Sequence, residues 1–308
     1  MATACGTAVP APAPSATSAS GSAGCGLRPR PGPTARAGAG GDVAQSLPVG
    51  ALSRSYRLAV PADYRSSRPT PLILLFHGSG SDALETSLYT RLPARGARAG
   101  YLVATPDARA EQWQVSPPGA ATDDLAFVAA LITDLSDRYC VDRTRIYAAG
   151  FSLGSEFSAI AACTGPLRIA AVGLVAAEYL LRPCRGPVPV IAFHGTADPL
   201  VPYPSGGIGA SFPGVPVIGV EQNLADWARL DGCRPDPDQD RIATRVVRRT
   251  WSGCRRGSSV VLYTVEGGGH AWPGSPVILP VGTFGTTTRQ IDATGLILRF
   301  FDRRRLDR

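Results

Sequence analysis

With 308 residues, 44% of them hydrophobic, the chain is long enough to bury the core of one domain of ~250 residues. Its formal net charge of +7 rests on arginine alone, since no lysine occurs, and these arginines are scattered without interleaved aromatic residues. That pattern excludes a nucleic-acid footprint and reads as a solvated surface. No apolar stretch has the length of a transmembrane helix.

Residues 1–46 differ in kind from the rest. Segments 11–22 and 28–41 are built from Ala, Pro, Gly, Ser, Thr and Arg, with almost no large apolar side chain. Such a stretch cannot bury enough surface to order itself, so residues 1–46 read as a disordered linker ahead of a single domain over residues 47–303. Strands are then expected over residues 55–60, 72–77 and 101–105, followed by a helix over 123–139. In that helix apolar residues recur at helical spacing behind Asp123 and Asp124, which suit the positive end of the dipole. A strand over 145–149, a helix over 153–163, strands over 170–175 and 188–194, a helix over 220–230, a strand over 259–266 and a helix over 291–301 complete the order. This alternation implies an α/β fold with a mostly parallel central sheet covered by helices on both faces.

The strand 145–149 runs straight into Gly150-Phe151-Ser152-Leu153-Gly154 and then into a helix. A serine on a tight strand-to-helix turn needs neighbours without side chains, and its hydroxyl then stands at the carboxyl edge of the sheet, so this is a nucleophile elbow. A serine hydroxyl also needs a base, normally a histidine held by a carboxylate. Only His77, His194 and His270 are available, and in this fold the acid and then the histidine follow the serine. Asp198 lies in the loop after the strand ending at His194, and His270 follows a later strand within Gly267-Gly268-Gly269-His270. Ser152, Asp198 and His270 are therefore the expected nucleophile, acid and base. His194 reads as a hydrogen-bonded scaffold residue, and Glu266 and Asp226 rank below Asp198 as the acid. Backbone amides should hold the oxyanion: that of Leu153, next to the serine, and that of Ser79, beside Gly78 in the loop after strand 72–77.

Phe76-His77-Gly78, Asp123-Asp124-Leu125-Ala126-Phe127, Cys140-Val141-Asp142, the elbow, Phe193-His194-Gly195-Thr196-Ala197-Asp198 and Gly268-Gly269-His270-Ala271-Trp272-Pro273-Gly274 together resemble the polyhydroxybutyrate depolymerase and feruloyl/acetylxylan esterase group. The resemblance covers roughly residues 47–303 and implies an α/β-hydrolase fold, a serine esterase triad at Ser152, Asp198 and His270, no cofactor and no metal. One departure is that Leu153, Ser155 and Glu156 stand where group members often carry small polar residues and a further glycine, which bears on the substrate. The expected function is a secreted serine ester hydrolase that works through an acyl-enzyme on bulky or polymer-derived feruloyl, acetyl or hydroxyalkanoate esters. The alternatives are an acyltransferase on the same scaffold and a non-catalytic binding protein.

Thr3-Ala4-Cys5-Gly6 resembles the cleavage and lipidation end of a bacterial lipoprotein signal, which would make Cys5 a lipid anchor and the chain secreted or anchored outside the cytoplasm. No apolar signal core precedes it. The other six cysteines, Cys25, Cys140, Cys163, Cys184, Cys233 and Cys254, suit disulfides in an oxidising compartment. Cys233 with Cys254 is the first expected pair, and the rest stay open. Trp113 and Trp272 are candidates to stack on an aromatic acyl group or a sugar, against the alternative of core packing. The chain is read as a monomer.

Overall fold

The computed structural model describes residues 21–27, 41–115, 122–164, 167–180, 182–205 and 218–307. An antiparallel ribbon comes first, β1 (Val43–Val49) and β2 (Leu52–Ala59), then β3 (Thr70–Phe76), α1 (Ala83–Thr90), α2 (Leu92–Arg98) and β4 (Leu102–Pro106). Helix α3 (Thr122–Arg138), β5 (Val141–Phe151), α4 (Leu153–Cys163), β6 (Ala171–Val175), β7 (Val190–Gly195) and α5 (Val220–Asp231) follow. A second ribbon, β8 (Asp238–Ala243) and β9 (Val246–Trp251), leads to β10 (Val260–Val265), α6 (Val281–Phe284) and α7 (Ala293–Phe301).

These strands form one 10-stranded sheet in the order β1-β2-β4-β3-β5-β6-β7-β10-β9-β8. The six central strands, from β4 to β10, are parallel, and each end is closed by an antiparallel ribbon. The expected mostly parallel sheet is thus present. Because β3 and β5 are buried on both faces, they read as near-continuous apolar runs rather than alternating ones. Leu72, Leu74 and Phe76 of β3 pack with Phe127, Phe157 and Trp227 from α3, α4 and α5, while Ile73 and Leu75 join Tyr147, Ile297 and Phe301 on the other side. One strand therefore feeds two cores, one under each helix layer. The chain direction of the helical layers reverses between β4 and β5, on either side of β3. Such a switch point opens a crevice at the carboxyl ends of the strands.

The linker boundary is corrected. Residues 21–27 belong to the folded body: Ser22 Oγ donates to the Tyr139 carbonyl at 2.8 Å, the Gly24 amide donates to Ser136 O at 2.8 Å, and Cys25 is bonded to Cys140. A covalent tie and backbone hydrogen bonds hold here what apolar burial could not. Strand β1 also begins at Val43, ahead of the expected start. Cys5 lies outside the described residues. Cys233–Cys254 forms as expected, and the remaining pairs are Cys25–Cys140 and Cys163–Cys184. Among the described residues no helix is long and apolar enough to cross a membrane.

At the edge of the sheet opposite the elbow, the last residue of α5, Asp231, is fully buried and accepts from the Val188 amide at 2.8 Å and Ser258 Oγ at 2.5 Å. Burial pushes its carboxyl up to about 6, against the opposing pull of those two donors. An unfolded aspartate titrates near about 3.9. The group's contribution to stability is therefore complete below about pH 4 and is lost as the pH rises through about 6. Asp231→Asn keeps an oxygen for the Val188 amide and removes the ionisation. Relative to wild type its stability, read from Tm at each pH, should rise between about pH 4 and pH 7, by an amount on the order of 1–3 kcal/mol. A Tm difference that is flat over this range would contradict the assignment.

Candidate active site

Strand β5 ends against α4 with Ser152 between them, and the backbone there is strained, at φ 54° and ψ −124°. A residue with a side chain persists in such a conformation only when its surroundings over-determine it. The surroundings do so by close approach. A Cβ on Gly150 would lie 2.1 Å from the Gly154 carbonyl oxygen, and one on Gly154 would lie 2.2 Å from that of Phe76. With both positions bare, α4 starts hard against the end of β3. The Ser152 amide donates to Val175 O at 2.9 Å, and its carbonyl accepts from the amides of Ser155 (2.8 Å) and Glu156 (3.2 Å). Ser152 thus caps α4 through its backbone and leaves its hydroxyl out of the capping. Its neighbours Phe151 and Leu153 are buried, whereas Ser152 is half-buried. The Leu153 amide sits at the first position of α4, where the helix itself provides no acceptor.

Beside the elbow runs the loop after β3. The Cβ position of Gly78 is 3.5 Å from Ser152 Cβ, so this backbone passes directly over the serine. His77 is fully buried and holds the loop at two points. Its Nε2 accepts from the Ala108 amide at 2.9 Å, which leaves the proton on Nδ1, and Nδ1 donates to the Gly78 carbonyl at 2.7 Å. Burial lowers the His77 pKa and keeps the ring neutral. Because a trans peptide sets its N–H opposite its C=O, pinning the Gly78 carbonyl also turns the Ser79 amide the other way. The side chain of Ser79 accepts from Gln112 Nε2 at 2.5 Å.

Asp198 and His270 come from the loops after β7 and β10, neighbouring parallel strands. His270 Nδ1 donates to Asp198 Oδ2 at 2.7 Å, with both side chains buried. The other oxygen, Oδ1, accepts from the amides of Leu200 and Val201, each at 2.8 Å. Although burial opposes the charge, hydrogen bonds from His194 and His270 hold the Asp198 carboxyl well below the usual range. The His270 ring lies 5.0 Å from that of Phe151, the residue before Ser152. The structure therefore gathers the elbow, Asp198 and His270 at one sheet edge. Glu266 and Asp226 are elsewhere, paired with Arg241 and Arg229. Asp124, expected only as a helix-start residue, also binds the Arg54 guanidinium at 2.9 Å in a buried contact.

The two tryptophans are corrected. Trp113 is 3% exposed, stacks on Phe157 at 4.6 Å and donates Nε1 to His77 O at 3.0 Å. Trp272 is 1% exposed, and its Nε1 donates to Thr294 Oγ1 at 3.0 Å. Neither presents a face to a ligand. Trp113 instead supports the loop over the serine. Sequence reasoning missed Glu178, buried in the segment after β6, although its position after a strand at the same edge was a readable signal. It also missed Phe284, partly buried with its ring 6.3 Å from that of His270. Among the described residues no group of three or more His, Cys, Asp or Glu side chains could hold a metal ion. The Gly/Pro-rich segment 203–219, which with Phe212 reads from the sequence as flanking the cleft, lies outside the described residues over 206–217.

A half-buried serine on a strained strand-to-helix turn, at the edge of a mostly parallel sheet that also carries a buried aspartate–histidine pair, is the arrangement of the α/β-hydrolases. Residues 54–228 match the family described as Esterase PHB depolymerase, and the chain belongs to that family of carboxylic ester hydrolases. It is 30% identical to the putative esterase NocK of Nocardia uniformis subsp. tsuyamanensis over 83% of this chain and 81% of that protein. It is also 30% identical to feruloyl esterase B of Piromyces equi over 68% of this chain, which spans only 41% of that relative's length. The acetyl xylan esterase from Aspergillus awamori shares the fold, with a TM-score of 0.59 at 14% identity over 84% of this chain and 99% of that one.

Gly154→Ala places a methyl group against the carbonyl oxygens of Phe76 and His77, at 2.2 and 2.4 Å, and neither backbone can retreat without shifting β3. The variant should lose on the order of 1–3 kcal/mol or more of stability together with most of its esterase activity. Wild-type Tm and activity in this variant would contradict the close-approach account.

Proposed function

We propose that the chain is a serine esterase that acts through an acyl-enzyme, with Ser152 as nucleophile, His270 as base and Asp198 as acid. The observation that carries this reading is the 2.7 Å bond from His270 Nδ1 to Asp198 at the sheet edge that bears the strained Ser152. With Nδ1 protonated toward Asp198, Nε2 is the basic nitrogen and takes the Ser152 proton as Oγ attacks the ester carbonyl. The amides of Leu153 and Ser79 receive the oxyanion. Collapse of the tetrahedral intermediate expels the alcohol with a proton from His270, and a water activated by the same imidazole then releases the acid. No cofactor enters this sequence. The three disulfides, of which Cys25–Cys140 ties segments 115 residues apart, support an oxidising extracytoplasmic location.

For the substrate we propose a bulky or polymer-derived ester of feruloyl or acetyl-xylan type. The relatives' names support this class, and so does the partly exposed Phe284 beside His270 as an aromatic wall. Ser152→Ala should lower turnover of a small test ester by about 10⁴-fold or more with an unchanged Tm. Activity within about tenfold of wild type would remove the assignment. Assayed on feruloyl, acetyl and hydroxyalkanoate esters, Phe284→Ala should lose about 2- to 12-fold in kcat/KM on the feruloyl ester and far less on the acetyl ester. Equal losses on all three would remove the aromatic wall.

A further inference from the structure

Behind Asp198 stands a second buried imidazole that the reaction above does not use. His194, the last residue but one of β7, is 2% exposed, and both its ring nitrogens face acceptors. Nδ1 is 2.7 Å from Glu178 Oε2. Nε2 is 2.9 Å from the Val201 carbonyl and 3.3 Å from Asp198 Oδ2, the same oxygen that takes the His270 proton. A carbonyl oxygen can only accept, so Nε2 must carry a hydrogen. The contact at Nδ1 also needs one proton, either on the imidazole facing a carboxylate or on the carboxyl facing a neutral ring. Either placement leaves Nε2–H bonded to the Val201 carbonyl, with Asp198 Oδ2 3.3 Å from the same nitrogen.

Glu178 is built to hold that proton. It is 2% exposed, its backbone carbonyl accepts from Trp227 Nε1 at 3.0 Å, and Oε1 is buried without a hydrogen-bond partner, so among the described residues His194 is the one hydrogen-bond partner of its carboxyl group. Burial raises the Glu178 pKa. For His194 burial works the other way but is outweighed by Glu178 and Asp198, which lift the ring to about 10. The pair therefore keeps its proton across the neutral range. The other ionisable groups around it are Tyr203, whose ring is 5.8 Å from that of His194 and whose hydroxyl meets Thr264 and Glu221, and Tyr179 and Glu156, whose charges couple to one another.

We propose that Glu178 and His194 are positioning residues for the catalytic acid: the proton they share keeps His194 Nε2–H bonded to the Val201 carbonyl, whose amide holds Asp198 Oδ1, and 3.3 Å from Asp198 Oδ2, so that the carboxylate stays in register with His270 and its pull on the His270 proton is limited. This rests on the reading of Asp198 and His270 as acid and base. The sign follows from the charges. Loss of the donor leaves Asp198 more basic, and loss of a protonated ring removes a neighbouring positive charge. Both changes favour the protonated form of His270 and move the acid limb of kcat/KM upward.

The test uses three variants on one small ester. His194→Phe fills the space without a donor. His194→Asn sets its amide on the Glu178 side and leaves the place of Nε2–H empty, so it decides the matter if the Phe variant fails to fold. His194→Gln returns an amide N–H to about the place of Nε2. Both donor-free variants should move the acid inflection of kcat/KM up by about half a unit to one unit and lower kcat about 10-fold or more, with KM nearly unchanged. His194→Gln should bring the inflection back toward wild type. If all three share the wild-type inflection, or lose kcat only in step with Tm, His194 is scaffold and the proposal is overturned. Ser152→Ala, run in parallel, separates the two levels: an inactive serine variant together with unmoved inflections in the His194 variants overturns the positioning role alone, whereas an active serine variant removes the triad beneath it.

Discussion

The site depends on one steric constraint: β3, β5 and the start of α4 meet more closely than any side chain allows. Gly150 and Gly154 make the approach possible, and Ser152, caught between them, takes a conformation that few residues with a side chain adopt. The strain is balanced by packing on both faces of the sheet, where Leu72 to Phe76 feed two separate cores. The same approach brings the loop after β3 over the serine, so the proposed nucleophile and oxyanion donors are set by one contact rather than two.

Three buried histidines make three different sets of contacts at this edge. His77 is neutral and pins the Gly78 peptide, and its burial depresses its pKa. His194 faces acceptors on both sides, and the carboxylates around it outweigh the same burial. His270 has one strong partner, Asp198, and a ring environment shared with Phe151 and Phe284. Equal burial thus gives unequal chemistry, because the number and sign of the hydrogen-bond partners decide which form each ring takes.

Much of this was readable from residue order. The parallel strands at the centre are continuous apolar runs, and the serine, aspartate and histidine each fall just past such a run, so their common edge follows from topology. The terminal ribbons were not readable. Strand β8, Asp238–Ala243, is almost wholly exposed and carries no apolar alternation; it is held by backbone pairing with β9 and by surface ion pairs such as Asp240 with Arg248. Residues 21–27 were hidden for a similar reason, since a disulfide and a few backbone bonds order them. The tryptophans show a further limit. Spacing places Trp113 and Trp272 near the site but does not tell which way a ring turns, and both turn inward. Conversely, Glu178 and His194 look like ordinary strand-end residues until the fold sets them side by side.

The central claim is that the strained backbone at Ser152 presents a hydroxyl activated by His270. Peptide mapping by mass spectrometry after treatment of the folded protein with an organofluorophosphonate tests it most directly. The account predicts one adduct per chain, on Ser152, and its near-complete loss in His270→Ala. An adduct on another residue, or none in protein that still hydrolyses esters, would contradict it.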